Sequence, residues 1–275
     1  MSDLHTLFDI QGQTAVVTGG SGVLGKTMCL ALAQAGARVV VIGRNAEKAS
    51  KIAEEIHAAG GEALGIACDV TKRDDLERAL SQITSAYGPI DILVNAAGGN
   101  QAAATTSPDR SFFELDDQAI ENTMRLNFSG TLLPCQIFGH GMAERGQGCI
   151  INISSMAAMR PMTRVVAYAA AKAAVVNFNQ WLAVLMAKEY SPKIRVNAIA
   201  PGFFLTEQNR YVMVDEKTGD YSERAKTIIA HTPAGRLGEA EELIGALLWL
   251  VSPAAAFVTG IVVPVDGGFS AFAGV

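Results

Sequence analysis

Thr14-Ala15-Val16-Val17-Thr18 runs straight into Gly19-Gly20-Ser21-Gly22-Val23-Leu24-Gly25, and a helical pattern from Leu24 to Ala35 starts before the glycines end. Five small or β-branched residues read as a buried strand, and Gly36 stands where a helix C-cap is expected. A strand, a glycine turn and a helix start make a phosphate site for a physical reason. Glycines let the backbone approach a pyrophosphate, and the helix N-terminus offers free N–H groups and the positive end of its dipole. The reading places Gly19, Ser21, Gly22, Val23, Leu24 and Gly25 around a dinucleotide phosphate. A glycine triplet alone is only a tight turn; the strand before and the helix after give this one its meaning.

The same rhythm continues outward. Strands are expected at Arg38–Ile42, Ala63–Ala67, Ile90–Val94, Cys149–Ile153, Arg195–Ile199 and Ile261–Val265. Helices are expected at Ala46–Ala59, Arg73–Tyr87 and Ala167–Glu189. The strands are nearly all apolar instead of alternating, which marks strands covered on both faces. With right-handed crossovers the expected class is α/β: a Rossmann-type, doubly wound, seven-stranded parallel sheet with helices on both faces. No linker or internal repeat is visible, so residues 1–275 are read as a single dinucleotide-binding domain with an integrated site. Residues 203–233 break the rhythm with mixed charges and read as a substrate loop or lid.

Composition narrows the function. The chain has 275 residues and a net charge of −5. It shows no basic stripe, so no nucleic-acid partner is expected. Cys29, Cys68, Cys135 and Cys149 form no CxxC pair and sit among apolar neighbours, as reduced thiols of a cytoplasmic protein would. The start, MSDLHTLFDIQGQ, lacks the features of a secretory signal, and no run of 18 apolar residues suggests a membrane span. No metal is expected.

The end of the second strand bears on the cofactor. NAD-binding turns place a carboxylate there for the ribose 2′-OH. This chain has Gly43-Arg44 instead, and a guanidinium suits a 2′-phosphate. NADP(H) is therefore favoured, with NAD(H) possible. Asp69-Val70, after the third strand, falls where an adenine would lie.

Tyr168 and Lys172 are four apart in a helical stretch, YAAAK, and so share one face. A phenol is a poor base at neutral pH, and a nearby ammonium lowers its pKa. Such a Tyr can give a proton to a carbonyl oxygen or take one from an alcohol. Taken singly the pair is an ordinary helix surface; the surroundings carry the case.

TGGSGVLG at Thr18–Gly25, Asp69-Val70, NAAG at Asn95–Gly98, Asn127, Ser154-Ser155, YAAAK and Pro201-Gly202 follow one another in fixed order. In that set the chain resembles the short-chain dehydrogenase/reductase family over essentially its whole length. Ser155 precedes Tyr168 by thirteen residues, the family's spacing for its catalytic serine, which excludes Ser154. The resemblance implies a catalytic tetrad. Tyr168 is the acid/base, and Lys172 lowers its pKa and bonds the nicotinamide ribose. Ser155 orients the substrate oxygen, and Asn127 anchors a water that relays protons to Lys172. It further implies cofactor contacts from Asn95, Ala96, Gly98, Pro201, Gly202 and Thr206, and a homotetramer with helices near residues 116–140 and 167–189 between subunits. One departure is Val23, which stands where a middle glycine is usual and reads as a local shift of the turn.

The substrate loops are Gly98-Gly99-Asn100, Met159–Arg164 and Phe203–Arg210. They offer Asn100, Arg160, Arg164, Gln208, Asn209 and Arg210 instead of an apolar tunnel. That set suits a small hydroxylated substrate with a carboxylate, which Arg holds bidentately. The loops are similar to those of hexuronate-reducing members of the family, down to FFLTEQNR and the DGGFSAF ending. This implies reversible reduction of the ketone of D-fructuronate to D-mannonate, with Arg160 as first choice for the carboxylate and Arg164 and Arg210 in reserve. Two other classes stand beside it. A 3-oxoacyl-carrier-protein reductase calls for basic residues at the site mouth, whereas FFELDDQAIENTMRLN is acidic. A nucleotide-binding regulator without activity calls for a broken tetrad, and this one is intact.

Overall fold

The computed structural model describes residues 4–205, 210, 213–215 and 218–274. After a short turn of helix, α1 (Leu4–Leu7), come β1 (Thr14–Thr18), α2 (Val23–Gln34), β2 (Arg38–Gly43), α3 (Ala46–Ala58) and β3 (Glu62–Ala67). The chain then crosses back through α4 (Arg73–Tyr87) to β4 (Ile92–Asn95). It continues with α5 (Asp117–Met124), α6 (Gly130–Arg145), β5 (Gly148–Ile153), α7 (Val166–Leu185), β6 (Ile194–Pro201), α8 (Glu223–Ala230), α9 (Ile244–Val251) and β7 (Val262–Val265). The seven strands lie in the order β3-β2-β1-β4-β5-β6-β7, and all pair in parallel. This is the expected doubly wound sheet.

The double burial of the strands is visible residue by residue. Ala15 and Val17 of β1 join one buried cluster with Val39, Val41, Ile92, Val94 and Ile151, covered by α2, α3 and α9. Val16 joins the opposite cluster with Val40, Ile42, Leu93, Ile150 and Val196, covered by α4, α6 and α7. Successive side chains of a strand point to opposite faces, so a strand with helices on both sides must be apolar at every position. β4 begins at Ile92, two residues later than the sequence pattern suggests. The carbonyl of Ile90 accepts from Arg145, and the Asp91 carboxylate accepts from the Thr14 amide at 3.0 Å, so these residues serve the entry to the sheet instead of the ladder.

Polar residues inside the sheet fix where the helices sit. Asn95 of β4 donates its amide to Asn152 of β5 at 3.0 Å, and Asn152 donates to Asn179 of α7 at 3.1 Å. All three side chains are buried, so this amide relay sets the rotation of α7 over the sheet. The order reverses between β1 and β4, the switch point where open parallel sheets leave a crevice.

Two glycines test the packing at that crevice. A Cβ on Gly25 would strike the Gly19 carbonyl oxygen, whereas one on the exposed Gly245 in α9 meets nothing within 4 Å. Gly25→Ala should cost about 1–3 kcal/mol through forced backbone movement. Gly245→Ala should stabilise by roughly 0.5 kcal/mol through helix propensity. Chemical denaturation of the two variants checks both signs, and an undisturbed Gly25→Ala would refute the tight approach.

Candidate active site

A cleft of about 640 Å³ opens at the carboxyl ends of the strands, across the switch point. Its floor is the glycine turn. Gly19 has φ +66°, and a Cβ there would lie 2.7 Å from the backbone of Ala96 and Ala97. Gly20 donates its amide to Ile42 and Gly22 to Gly19, which closes the turn. Gly22 caps α2 without any side-chain bond, and the helix starts at Val23. Among the described residues the amides of Ser21, Val23 and Leu24 are then left without an acceptor, and these residues line the cleft at the helix N-terminus. Val23 costs the turn nothing, because the position needs only a free N–H. A floor that a side chain would fill, under free amides, fits a dinucleotide pyrophosphate.

Arg44, Asn45 and Lys48 wall the far end of the cleft, with Cys68 and Val70 beside them at the end of the adjacent strand. Asn45 accepts from the Lys48 amide at 2.9 Å and so starts α3 with Lys48 on its first turn. The sequence pattern shows Lys48 only as one charge of a Lys/Glu-rich helix; its signal is its place three residues after Asn45. Asp69 is not a wall of the cleft. Burial alone would raise its carboxyl, but bonds from the Thr71 amide and hydroxyl, with Lys72 and Arg44 nearby, hold it below the usual range.

The near end gathers Ser155, Tyr168 and Lys172. Ser155 follows β5. Its oxygen accepts from the Ala157 amide at 3.1 Å, and its side chain bonds the Tyr168 phenol. Ser154 turns inward, donating to the Lys172 carbonyl at 3.2 Å. Lys172 is buried, and its Nζ donates to the Ile153 carbonyl at 2.7 Å and lies 5.7 Å from the Tyr168 ring centre. Burial lowers the Lys172 pKa to about 8. The sequence expectation that Lys172 depresses Tyr168 does not describe this state: burial raises the phenol above its ordinary value, and only the Ser155 bond works against it.

Asn127 lies in a π-helical turn, Arg125–Ser129. Its Nδ2 donates to the carbonyls of Gly99 at 2.6 Å and Thr123 at 2.8 Å, and its Oδ1 accepts from the Gly99 amide at 3.1 Å. A Cβ on Gly98 would lie 2.7 Å from Asn127 Oδ1 and 3.2 Å from Lys172 Nζ, so only glycine fits between them. Asn127 thus clamps the loop after β4. Ala96, Gly98, Pro201 and Gly202 line the cleft, joined by Gly99, Leu126, Phe203 and Phe204, which the sequence reading did not single out as site residues. Asn95 lies beneath it in the amide relay.

The polar residues read as substrate contacts are placed differently. Asn100 donates to Thr105 at 2.7 Å, and Arg160 Nε donates to the Ser270 carbonyl at 2.8 Å. Arg164 has its carbonyl held by the Thr106 amide at 3.0 Å, and the Arg210 carbonyl accepts from Val214 at 2.8 Å. None of these four lines the cleft. Thr206, Gln208 and Asn209 lie outside the described residues.

A parallel sheet with a glycine turn fit for a pyrophosphate, and a Ser-Tyr-Lys group at the other end of the same cleft, defines a nucleotide-dependent oxidoreductase. Residues 13–217 match the short chain dehydrogenase family. The Bacillus subtilis oxidoreductase UxuB, itself uncharacterised, is 45% identical over 100% of both chains. Gluconate 5-dehydrogenase of Gluconobacter oxydans is 35% identical over 96% of this chain and 97% of its own. A Haemophilus influenzae protein provisionally described as a D-mannonate oxidoreductase, solved with NAD, superposes with a TM-score of 0.92 at 42% identity, covering 99% of this chain and 100% of that one. A Burkholderia cenocepacia gluconate 5-dehydrogenase with NADP and tartrate gives 0.87 at 32% identity, over 98% of this chain and 100% of that one. The chain belongs to the short-chain dehydrogenase family. It is an NAD(P)-binding oxidoreductase acting on alcohol and ketone groups.

The buried lysine makes a pH prediction. A folded-state value of about 8 lies below the unfolded lysine value, so the unfolded chain binds the extra proton between the two. Stability should rise with pH from about 8 toward 10, by on the order of 3 kcal/mol if this group acts alone. Lys172→Met should lose that rise while keeping the rest of the profile. Parallel denaturation profiles for the two proteins would refute the depressed value.

Proposed function

We propose that this enzyme reduces the ketone of an open-chain keto-sugar acid, D-fructuronate first, and oxidises the matching alcohol, D-mannonate, in reverse. The observation that carries it is the Ser155–Tyr168–Lys172 group at the inner end of the cleft. Support for the substrate class comes from relatives that act on sugar acids and polyols, including a 5-keto-D-gluconate 5-reductase of Escherichia coli at 32% identity. The nicotinamide, when bound, supplies or accepts the hydride. Ser155 holds the carbonyl oxygen, and Tyr168, kept as the neutral phenol by burial, gives that oxygen its proton. With a cofactor bound, Lys172 would hold its ribose and would return the proton to Tyr168, with Asn127 ordering a water on the path. Residues 203–233 act as a lid on a single domain. Asn100, Gln208, Asn209 and Arg210 are drawn to the substrate hydroxyls when that lid closes. The enzyme works in the cytoplasm as a homotetramer.

NADP(H) is the favoured cofactor, on the strength of Arg44 and Lys48 beside the cleft and the missing carboxylate after β2. For the carboxylate, the loop before Tyr168 supplies the arginine. Arg160 has its Nε engaged with Ser270, which favours Arg164.

Tyr168→Phe should keep fold and cofactor affinity while kcat falls about 10²–10⁴-fold. D-Fructuronate should be turned over far better than the neutral D-fructose, and equal efficiency would show that no carboxylate is read. Both are followed as absorbance at 340 nm.

A second measurement addresses the cofactor. kcat/KM should favour NADPH over NADH, and Arg44→Ala with Lys48→Ala should reduce that ratio by about tenfold or more, as for a lost charge-assisted phosphate contact. A wild-type preference for NADH would show that these cations do not read a phosphate.

A further inference from the structure

Asp266 follows the last strand and closes a turn on itself. Its carboxylate accepts from the amides of Gly268 and Ser270, both at 2.9 Å. Gly267 and Gly268, at φ +62° and +86°, give the chain the left-handed path between those bonds. The Gly267 carbonyl accepts from the Ala234 amide at 3.0 Å, so the turn lies against the chain that leaves α8. Phe269, between the two gripped amides, packs its ring on Phe203 with 5.2 Å between centroids. Phe203 and Phe204 line both the cleft and a smaller cavity of about 90 Å³, which Val265, Asp266 and Gly267 also line. The turn therefore stands behind a wall of the cleft.

Ser270 carries the turn to the other side of the site. Its carbonyl accepts from Arg160 Nε at 2.8 Å, across 110 residues of sequence. The Arg160 amide donates to the Met156 carbonyl at 3.0 Å, and Met156 follows Ser155 directly. From Met159 to Val165, beyond its own turn and α7, the loop has two hydrogen bonds to the rest of the molecule among the described residues. One is the Arg160 bond to Ser270, and the other runs from the Thr106 amide to the Arg164 carbonyl at 3.0 Å.

A hydrogen bond as exposed as that of Arg160 adds little to global stability. Its effect is geometric. The loop runs from Ser155 to Tyr168, so a shift within it moves one against the other, and rate depends steeply on such placement. Two hydrogen bonds connect the Asp266 carboxylate to this loop, and one ring contact connects the same turn to Phe203. Arg160 does not line the cleft, and its Nε bond directs the side chain at the C-terminal turn.

We propose that Arg160 and the turn Asp266–Ser270 form a clasp that sets the loop between Ser155 and Tyr168 against Phe203. Asp266 and Arg160 are positioning residues for the reaction: neither lines the cleft, and each acts through the segment it holds. The clasp asks nothing of the substrate's charge, so it stands apart from the sugar-acid reading.

Arg160→Ala, Arg160→Gln and Asp266→Ala test the clasp. Glutamine carries an N–H donor at the same remove from the backbone as the arginine Nε, without the charge. The clasp needs one donor to one carbonyl, so Arg160→Gln should keep most of the wild-type kcat. Arg160→Ala should lose about tenfold or more, as for a displaced reacting group. The loss should be equal on D-fructuronate and on neutral D-fructose, with affinity for NADPH and NADH unmoved. Asp266→Ala, which frees Phe269 as well as Ser270, should also raise KM. Backbone hydrogen exchange on the full-length protein, read by mass spectrometry, needs no substrate. Arg160→Ala should speed exchange in residues 266–272, and Asp266→Ala should speed it in residues 156–164, while Arg160→Gln leaves both near wild type. Arg160 is exposed, so its two variants decide the matter even if Asp266→Ala does not fold. The clasp is overturned if Arg160→Gln behaves like Arg160→Ala, if the loss falls on the acid alone, or if cutting one segment leaves exchange in the other unchanged. Should the wild type turn over neither sugar, the exchange measurements decide by themselves.

Discussion

Everything at the cleft depends on how closely two backbones meet at the end of β1. Gly19 passes against Ala96 and Ala97 after β4, and Gly25 brings α2 down onto the Gly19 carbonyl. Each approach leaves no room for a β-carbon. The parallel register of β1 with β4, Thr18 beside Asn95, sets the distance between the two strand ends. If either approach opened, the amides of Ser21, Val23 and Leu24 would no longer face the same space as Gly98 and Lys172. The phosphate end and the reacting end of the cleft are therefore held at one spacing by backbone contact, which side-chain motion cannot relax.

At the other end the constraint is electrostatic. Lys172 is buried on α7, and the one bond of its ammonium among the described residues runs to the Ile153 carbonyl at the tip of β5. Burying an ammonium is costly, and one carbonyl offsets only part of the cost. The amide relay from Asn95 through Asn152 to Asn179 makes the burial possible by fixing α7 over β4 and β5 from below. The same low-dielectric setting holds Tyr168 as a phenol. A site built this way is ready to give a proton, at a cost carried by the lysine.

How much of this could be read in the sequence follows from how local each feature is. The glycine turn, Arg44, Ser155, Tyr168 and Lys172 sit within short stretches whose neighbours show their setting, and the sheet follows from strands that are apolar at every position. Ile90 misled because its apolar side chain resembles a strand residue while its carbonyl serves Arg145. Lys48 looks like an ordinary helix charge, since what distinguishes it is the cleft it lines. The direction of the Tyr168 shift was out of reach as well. It depends on burial, and burial of a helix face is settled only when the helix is placed.

The two ends of the cleft are thus encoded in different ways. The cofactor end is backbone: amides, glycines and a helix terminus, which any chain with this turn reproduces. The reacting end is side chain, drawn from Ser155 after β5 and from Tyr168 and Lys172 of α7. The arrangement separates cofactor binding, fixed by the backbone of one turn, from the chemistry, fixed by three side chains on two neighbouring elements.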